Sequence, residues 1–263
     1  MPADYHTHTP LCRHAEGNPA DLAAAAVAAG LTEIGFSDHN PMPAPFDDWR
    51  MLREELPRYF DLVNEARTAF PELTIRLALE CDFIPGHEGW IEELTAMAPW
   101  DYLIGSVHYL EPGWAIDNPA LADRFDEANT EAIWTRYTAL QEQAIRTGLF
   151  DFIGHPDLAK RFGHRPKGDL RRFYEPVIQA LADTGTAFEI NTAGKRKTVG
   201  EIYPAPEFLT LARRAGVPLC INSDAHRSGE VGADFDEARQ LALTAGYNSV
   251  VLFHQRKRTS EPL

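Results

Sequence analysis

Short apolar segments alternate along this chain with longer amphipathic segments, and the two kinds have the lengths of strands and helices. The apolar segments end near His6, Ser37, Glu80, His108, His155, Asn191 and Asn222, and residues 248–253 predict one more strand. Helices are predicted over residues 21–29, 51–70, 127–147, 170–184, 206–215 and 234–245. Strands separated by helices in this way predict βαβ units, and hence a parallel sheet or a barrel.

The first predicted helix has well-defined ends. Asn18 is a suitable N-cap, Pro19 fits the first helical position and Gly30 is a typical stop. No shift in composition along the 263 residues indicates a linker, and no repeat appears beyond the alternation of strand and helix. We therefore predict a single α/β domain over residues 1–263.

Composition and charge narrow the range of partners. Hydrophobic residues make up 44% of the chain, which is enough for a sizeable core, and the formal net charge is -14. Such an acidic protein lacks the basic surface on which non-specific binding to nucleic acid or anionic membranes depends. Cys12, Cys81 and Cys220 are far apart and form no C-x-x-C motif, which argues against a disulfide framework. We expect a cytoplasmic protein that binds neither nucleic acid nor membrane.

Residues that commonly bind metals fall at the ends of the predicted strands. They are His6, His8, His14, His39, Glu80, His108, His155, Asp224 and His226. A single histidine is more often a hydrogen-bonded core or surface residue than a ligand. The carboxyl ends of parallel strands, however, meet at one edge where sites are built, so the joint pattern predicts metal binding. Imidazole and carboxylate together suit zinc, iron or manganese, and a carboxylate can bridge two ions.

The same residues carry a family resemblance. The chain resembles the polymerase-and-histidinol-phosphatase (PHP) family, and more narrowly its histidinol-phosphatase branch, from residue 4 to about residue 232. The superfamily motifs are His6-Thr7-His8, Cys12-x-His14, Ser37-Asp38-His39, Glu80, Gly105-Ser106-Val107-His108, Gly154-His155-Pro156-Asp157 and Ser223-Asp224-Ala225-His226. Residues 157–163, 191–194, 196–197 and 199–204 resemble the narrower branch.

The resemblance implies a distorted (β/α)7 barrel of the TIM-like kind, with a trinuclear metal centre at the strand C-termini. It implies that the first metal is held by His6, His8, Glu80 and Asp224. Glu80 bridges to a second metal, which His108 and His155 complete. His14, His39 and His226 hold the third. Residues 248–253 depart from a seven-stranded barrel and are either a closing strand or a buried segment.

The resemblance also implies an activity, a metal-dependent phosphomonoesterase that hydrolyses L-histidinol phosphate in histidine biosynthesis. A hydroxide bridging two metals would attack phosphorus, with Glu80 and Asp224 as the catalytic carboxylates. A PHP phosphoesterase for another small phosphomonoester or a nucleotide is the alternative within the family. A non-catalytic metal-binding module is the alternative from another class, against which the complete ligand set argues.

Substrate contacts are predicted in the loops beside these ligands. A phosphate group requires a guanidinium fork or an ammonium charge, and Arg161, Arg196 and Lys160 are the candidates. Loops after residue 40 and over residues 111–125 are expected to line or cover the site. In the second loop, Asp117 or Glu111 could meet the ammonium group of histidinol phosphate, and Trp114 could pack on its imidazole. By the resemblance, Cys12 is a packing residue rather than a ligand.

Overall fold

The computed structural model describes residues 1–126 and 128–263, and seven of the strands found there form one parallel sheet. In chain order the strands are β1 (Ala3–Thr7), β2 (Glu33–Phe36), β3 (Thr74–Asp82), β4 (Tyr102–Ser106), β5 (Tyr109–Glu111), β6 (Trp114–Ala115), β7 (Phe152–Ile153), β8 (Ala187–Asn191), β9 (Leu219–Asn222), β10 (Ser249–His254) and β11 (Lys257–Pro262). The sheet order is β1-β2-β3-β4-β7-β8-β9, so each barrel strand lies beside the next one along the chain.

Helices connect these strands on the outside of the sheet. They are α1 (Pro19–Ala28), α2 (Leu56–Ala69), α3 (Glu88–Met97), α4 (Thr130–Arg146), α5 (Arg171–Thr184), α6 (Pro206–Arg214) and α7 (Phe235–Thr244). Short 3-10 turns cover Pro10–Cys12, Arg53–Glu55, Pro119–Arg124, Leu158–Lys160, Thr192–Arg196 and Ser228–Glu230. Among the described residues no helix combines the length and the apolar character needed to cross a membrane.

The sheet closes into a barrel where its first and last strands meet. Thr7 pairs in parallel with Ala225, just past β9, and the amide of His8 donates to the carbonyl of Ala225 at 2.9 Å. The amide of Tyr5 also donates to the Asn222 side chain at 2.8 Å. The predicted (β/α)7 barrel is therefore confirmed, and its two chemically marked ends, His6-x-His8 and Asp224-x-His226, lie side by side.

The six predicted helices correspond to α1, α2, α4, α5, α6 and α7, whereas α3 was not predicted. The side chain of Asn18 accepts from the amide of Asp21 and caps α1, as predicted. The helix predicted over residues 127–147 corresponds to α4, although residue 127 itself lies outside the described residues. The hydrophobic pattern does not predict α3, because only Trp90, Ile91 and Leu94 form its buried face. So short an apolar face is a weak periodic signal.

The apolar segment 248–253 is not an eighth barrel strand. It forms β10, which pairs antiparallel with β11 in a separate hairpin. Phe253 on β10 packs against the rings of Tyr5, Tyr102 and Phe152, with centroids 6.0, 5.9 and 5.3 Å away. The hairpin turn contacts Asp101, which precedes β4, so this hairpin covers the amino ends of the barrel strands. It thereby leaves the carboxyl ends open for a site.

Candidate metal centre

The nine ligand-type side chains converge at the carboxyl ends of the barrel strands. His6 and His8 are separated by one residue, so the strand repeat of two directs both side chains to the barrel interior, where neither is exposed to solvent. Glu80, on β3, is likewise buried and pairs along the backbone with His39. These residues form the floor of the site.

Glu80 is the centre of this floor because its two carboxylate oxygens face different histidines. Oε2 lies 3.2 Å from Nε2 of His6 and 3.0 Å from Nδ1 of His39. Oε1 lies 3.0 Å from Nε2 of His155 and 3.6 Å from Nε2 of His108. A carboxylate with this division of contacts has the geometry of a bridge between two cations.

Asp224 completes the group on the Oε2 side. Its Oδ1 lies 3.4 Å from Nε2 of His8 and 3.8 Å from Nε2 of His6, while Nε2 of His8 is 3.6 Å from Glu80 Oε2. Asp224 adopts a φ of 53°, a left-handed conformation that costs a non-glycine residue about 1–3 kcal/mol. The flanking backbone pairs between β1 and Ala225 hold it in place. The four residues assigned to the first metal are thus brought together.

A third group lies nearer the surface. Nε2 of His14 and Nε2 of His226 are 2.9 Å apart, and donor atoms of His8, His39 and His226 lie within 4.8 Å of one another. His39 stands between groups, because it also lies with Glu80 and His108 within that distance. The structure therefore brings the third set together and places His39 close to the second set as well.

Several donor atoms of the cluster are buried and make no hydrogen bond of acceptable geometry among the described residues. They are Nε2 of His6, both ring nitrogens of His8, Nδ1 of His39, Nδ1 of His155 and Oε2 of Glu80. Buried polar atoms are almost always paired, because an unpaired one costs about 1–3 kcal/mol. Divalent metal ions bind groups of imidazole nitrogens and carboxylate oxygens whose lone pairs converge in this way. The residues present fit such ions.

Four of the histidines are oriented by a second contact. Nδ1 donates to a carboxylate or a carbonyl oxygen in each: His6 to Glu189 at 3.1 Å, His108 to Asp82 at 2.8 Å, His14 to the carbonyl of Cys12 at 2.7 Å, and His226 to the carbonyl of Asp224 at 3.1 Å. A proton held on Nδ1 leaves the Nε2 lone pair free to face the centre. Such contacts fix both the tautomer and the ring orientation of metal-binding histidines.

The pKa values of the cluster are shifted in both directions. Burial would lower the pKa of His6, but Glu189 and Glu80 raise it. Burial would likewise lower the pKa of His108, but Asp82 and Glu80 raise it. Burial alone would raise the pKa of Glu80, but His6, His39 and His108 hold it well below the usual range. Burial, together with His39 and His8, lowers the pKa of His14 to about 4. At neutral pH the carboxylate is therefore ionised, and the imidazole of His14 is neutral with a free lone pair.

Glu189 and Asp82 are buried acids of the site that were not among the sequence candidates. Glu189, on β8, accepts from His6, from the amide of His155 at 2.9 Å, and from the side chains of Asn191 and Asn222. Asp82, at the end of β3, accepts from His108. The signal in the sequence was a carboxylate inside or at the end of an apolar strand segment, since a buried charge requires partners.

A cavity of about 420 Å³ opens above the cluster. Its lining includes seven of the nine ligand-type residues, whereas His6 and His8 are fully buried in the floor and do not line it. One wall carries Arg161 and Lys197, and other parts are formed by Trp49, Asp117 and Tyr203. A cavity with cationic, acidic and aromatic walls can bind a small phosphate ester that also carries an amine and a ring.

The structure separates the predicted phosphate contacts. Arg161 lines the cavity, but Lys160 does not: its ammonium is fully buried, 2.9 Å from Asp157 Oδ2, and donates to the carbonyl of Ile202. Arg196 lies behind the wall and donates to the carbonyl of Ser223 at 2.6 Å.

Its neighbour Lys197, which the charge pattern alone did not favour, faces the cavity in place of Arg196. Burial lowers the pKa of Lys197, with Arg161 and Arg196 acting in the same direction and Asp224 opposing.

Of the loop residues considered for the organic part of the substrate, only Asp117 lines the cavity. Its carboxylate makes no hydrogen bond or ion pair with any described residue. Trp114 instead packs edge-on against Phe125, and Glu111 is exposed outside the cavity. The aromatic part of the lining is supplied by Tyr203 and by Trp49, which comes from the proline-rich loop after residue 40.

Comparison with known proteins agrees with this geometry. The model of the PHP domain family matches residues 4–193. A "probable histidinol-phosphatase" of Deinococcus radiodurans is 43% identical over 96% of this chain and 97% of its own length. The histidinol-phosphatase of Bacillus subtilis is 28% identical over 89% of this chain and 96% of its own.

A solved structure shares the fold. The crystal structure of the Lactococcus lactis histidinol phosphate phosphatase, complexed with zinc, L-histidinol and phosphate, superposes with a TM-score of 0.83. It is 24% identical, and the match covers 98% of both chains. The resemblance seen in the motifs is confirmed: the chain belongs to the PHP domain family, among relatives of the histidinol-phosphatase branch.

Proposed function

We propose that this chain is a metal-dependent histidinol-phosphatase, which hydrolyses L-histidinol phosphate to L-histidinol and phosphate. The observation that carries the proposal is the carboxylate of Glu80, shared between two sets of histidines on the floor of a cavity with a cationic wall. The full-length similarity to histidinol-phosphatases supports the choice of substrate. One domain over residues 1–263, a role in histidine biosynthesis and a cytoplasmic location stay predictions from the sequence.

The cluster supplies ligands for three divalent ions in the proposed enzyme. The first set is His6, His8, Glu80 and Asp224, the second is Glu80, His108 and His155, and the third is His14, His39 and His226. Zinc, iron and manganese all suit these donors. Bound there, such ions would lower the pKa of a coordinated water and offset the negative charge of the phosphoryl oxygens.

The side chains around the cavity bind and orient the ester. Arg161 and Lys197 are the proposed phosphate contacts, because both are cationic side chains that line the cavity. We propose that Asp117 pairs with the substrate ammonium and that Trp49 packs on the imidazole. Hydrolysis breaks the bond between phosphorus and the alcohol oxygen. Water supplies the hydroxyl that joins the phosphate and the proton that joins histidinol.

Substrate choice is tested by phosphate release from L-histidinol phosphate and from a panel of sugar, nucleoside and aryl phosphates, with zinc or manganese added. We expect kcat/KM to be highest for L-histidinol phosphate. Equal values across the panel would reject the proposed substrate and favour a phosphatase for another small ester.

The Asp117 contact is tested with a substrate that lacks the amine. Asp117→Asn should raise KM for L-histidinol phosphate and leave KM unchanged for the analogue without the amino group. An equal rise for both esters would remove Asp117 from amine recognition.

The proposed bridge is tested by Glu80→Ala. This variant should bind fewer metal ions per chain than the wild type and should lose turnover on every ester of the panel. Full activity without Glu80 would overturn the proposed metal centre, whereas a wild type that binds metal and hydrolyses no ester of the panel would favour the non-catalytic alternative.

A further inference from the structure

A buried ion network lies behind the second metal set and includes no proposed ligand. At its centre is Arg50, whose side chain is only 3% exposed. The guanidinium donates through Nη2 to Asp82 Oδ2 at 2.8 Å and through Nε to Asp47 at 2.8 Å. Nη1 donates to the carbonyl of Asn40 at 3.1 Å. One cation thus joins the start and the middle of the loop over residues 40–50 to the end of β3.

The Asp82 side of the network ends at a proposed ligand. Asp82 is two residues beyond Glu80 on β3, so both side chains project to the same face of the strand. While Oδ2 of Asp82 accepts from Arg50, Oδ1 accepts from Nδ1 of His108 at 2.8 Å. The guanidinium therefore holds the carboxylate that holds the imidazole. Without Arg50, Asp82 would be free to rotate and His108 would lose its fixed orientation.

The Asp47 side of the network ends at the cavity wall. Asp47 accepts from the hydroxyl of Tyr109 at 2.6 Å and from the amide of Trp49 at 3.3 Å. The indole of Trp49 stacks on the Tyr109 ring, with an interplanar angle of 18°, and lines the cavity. The loop that carries Trp49 contains three prolines in residues 41–45, which cannot donate backbone hydrogen bonds. The ion network therefore attaches a loop that has few backbone donors of its own, together with the indole of Trp90, which donates to the carbonyl of Pro41 at 2.7 Å.

We propose that Arg50 is a positioning residue that fixes the His108 ligand and the Trp49 wall at the same time. The inference rests on the proposed function, because it assigns His108 to a metal and Trp49 to the substrate. Arginine suits this position since its planar fork reaches two carboxylates and a carbonyl together, and a lysine ammonium cannot reproduce that geometry. The network makes one buried residue responsible for both metal affinity and substrate affinity.

The experiment compares Arg50→Lys and Asp82→Asn with the wild type. Zinc affinity and stoichiometry are measured on metal-free protein by competition with a chromophoric chelator, and kcat and KM are measured at saturating zinc. Loss of a second contact to a metal-binding histidine typically weakens metal binding about 10–100-fold. We expect the affinity for one of the bound zinc ions to fall by about that factor in both variants. Arg50→Lys should also raise KM for L-histidinol phosphate.

The double variant Arg50→Lys with Asp82→Asn should lower the zinc affinity no further than either single change, because both changes act through one contact. Arg256→Lys is the matched control. Arg256 pairs with Asp151 at the opposite end of the barrel, so the same substitution should change neither zinc affinity nor KM.

A folded Arg50→Lys protein with wild-type zinc affinity and KM would overturn the proposal, even if its melting temperature falls. If Arg50→Lys does not fold, Tyr109→Phe decides the loop part. Removing that hydroxyl should raise KM with zinc affinity unchanged, and an unchanged KM would refute the role of the network in placing Trp49. The zinc measurements need no substrate, so they stand even if the wild type does not hydrolyse L-histidinol phosphate.

Discussion

Glu189 offers the sharpest test of how the site is held together. The carboxylate is fully buried and accepts from four donors: Nδ1 of His6, the amide of His155 and the side-chain amides of Asn191 and Asn222. Glu189→Gln keeps the shape and removes the charge. It also replaces one acceptor oxygen by an NH2 group, which must face at least one of those donors.

The lowest-energy orientation of the glutamine side chain follows from these distances. The oxygen would stay at the Oε1 position, where the amide of His155 (2.9 Å) and Asn191 (2.7 Å) require an acceptor. The NH2 group would then face the Asn222 amide at 2.8 Å, and Asn222 cannot turn without losing its bond from the Tyr5 amide.

One unsatisfied buried donor costs about 1–3 kcal/mol, and breaking a buried charge pair costs about 3–5 kcal/mol. We expect a loss of about 3 kcal/mol.

The assay is urea unfolding of the metal-free protein, followed by zinc titration. A loss of about 3 kcal/mol corresponds to a melting temperature lower by roughly 6–12 °C for a chain of this size. Zinc at the His6 set should bind about 10–100-fold more weakly, because His6 loses the contact that orients it.

Glu65→Gln is the control. The Glu65 side chain is 61% exposed and pairs with Arg58, so the variant should lose no more than about 0.5 kcal/mol of stability. Equal stabilities for the two variants would refute the argument that Glu189 is a buried anchor.

Three further outcomes are expected. Gly194→Ala would place a Cβ 2.0 Å from the carbonyl oxygen of Glu201, so the turn leading to Lys197 must shift and KM should rise for every phosphate ester. Gly89→Ala is the control, because its Cβ would meet no atom within 4 Å apart from its chain neighbours and its own helix backbone, and KM should not change. Phe253→Ala should cost about 3–5 kcal/mol in urea unfolding without changing kcat/KM, because Phe253 fills the opposite end of the barrel. Chelation should abolish activity and lower the melting temperature, and added zinc or manganese should restore both; activity that survives exhaustive chelation would contradict a metal-dependent reaction.

Much of the candidate site was accessible from the sequence because it depends on strand ends. His6 and His8 lie on one face by the strand repeat, and the carboxyl ends of parallel strands must meet at one edge. The phosphate contacts were less accessible. Arg196 and Lys197 are adjacent and both cationic, and the turn over Thr192–Arg196 directs the second, not the first, to the cavity. Lys160 has the right charge, but Asp157 and Ile202 hold it inside the protein.

The sequence by itself determined the alternation of strand and helix and the positions of the ligand-type residues, because these follow from local periodicity and from residue chemistry. The choice of a barrel over an open sheet came from the resemblance to the PHP family. Only the tertiary structure decided which partner each side chain has. Glu189 meets His6 across 183 residues, and Arg50 meets Asp82 across 32. Such pairs form only when separate strands and loops are brought together, and a buried charge selects its partner by distance in space rather than by spacing along the chain.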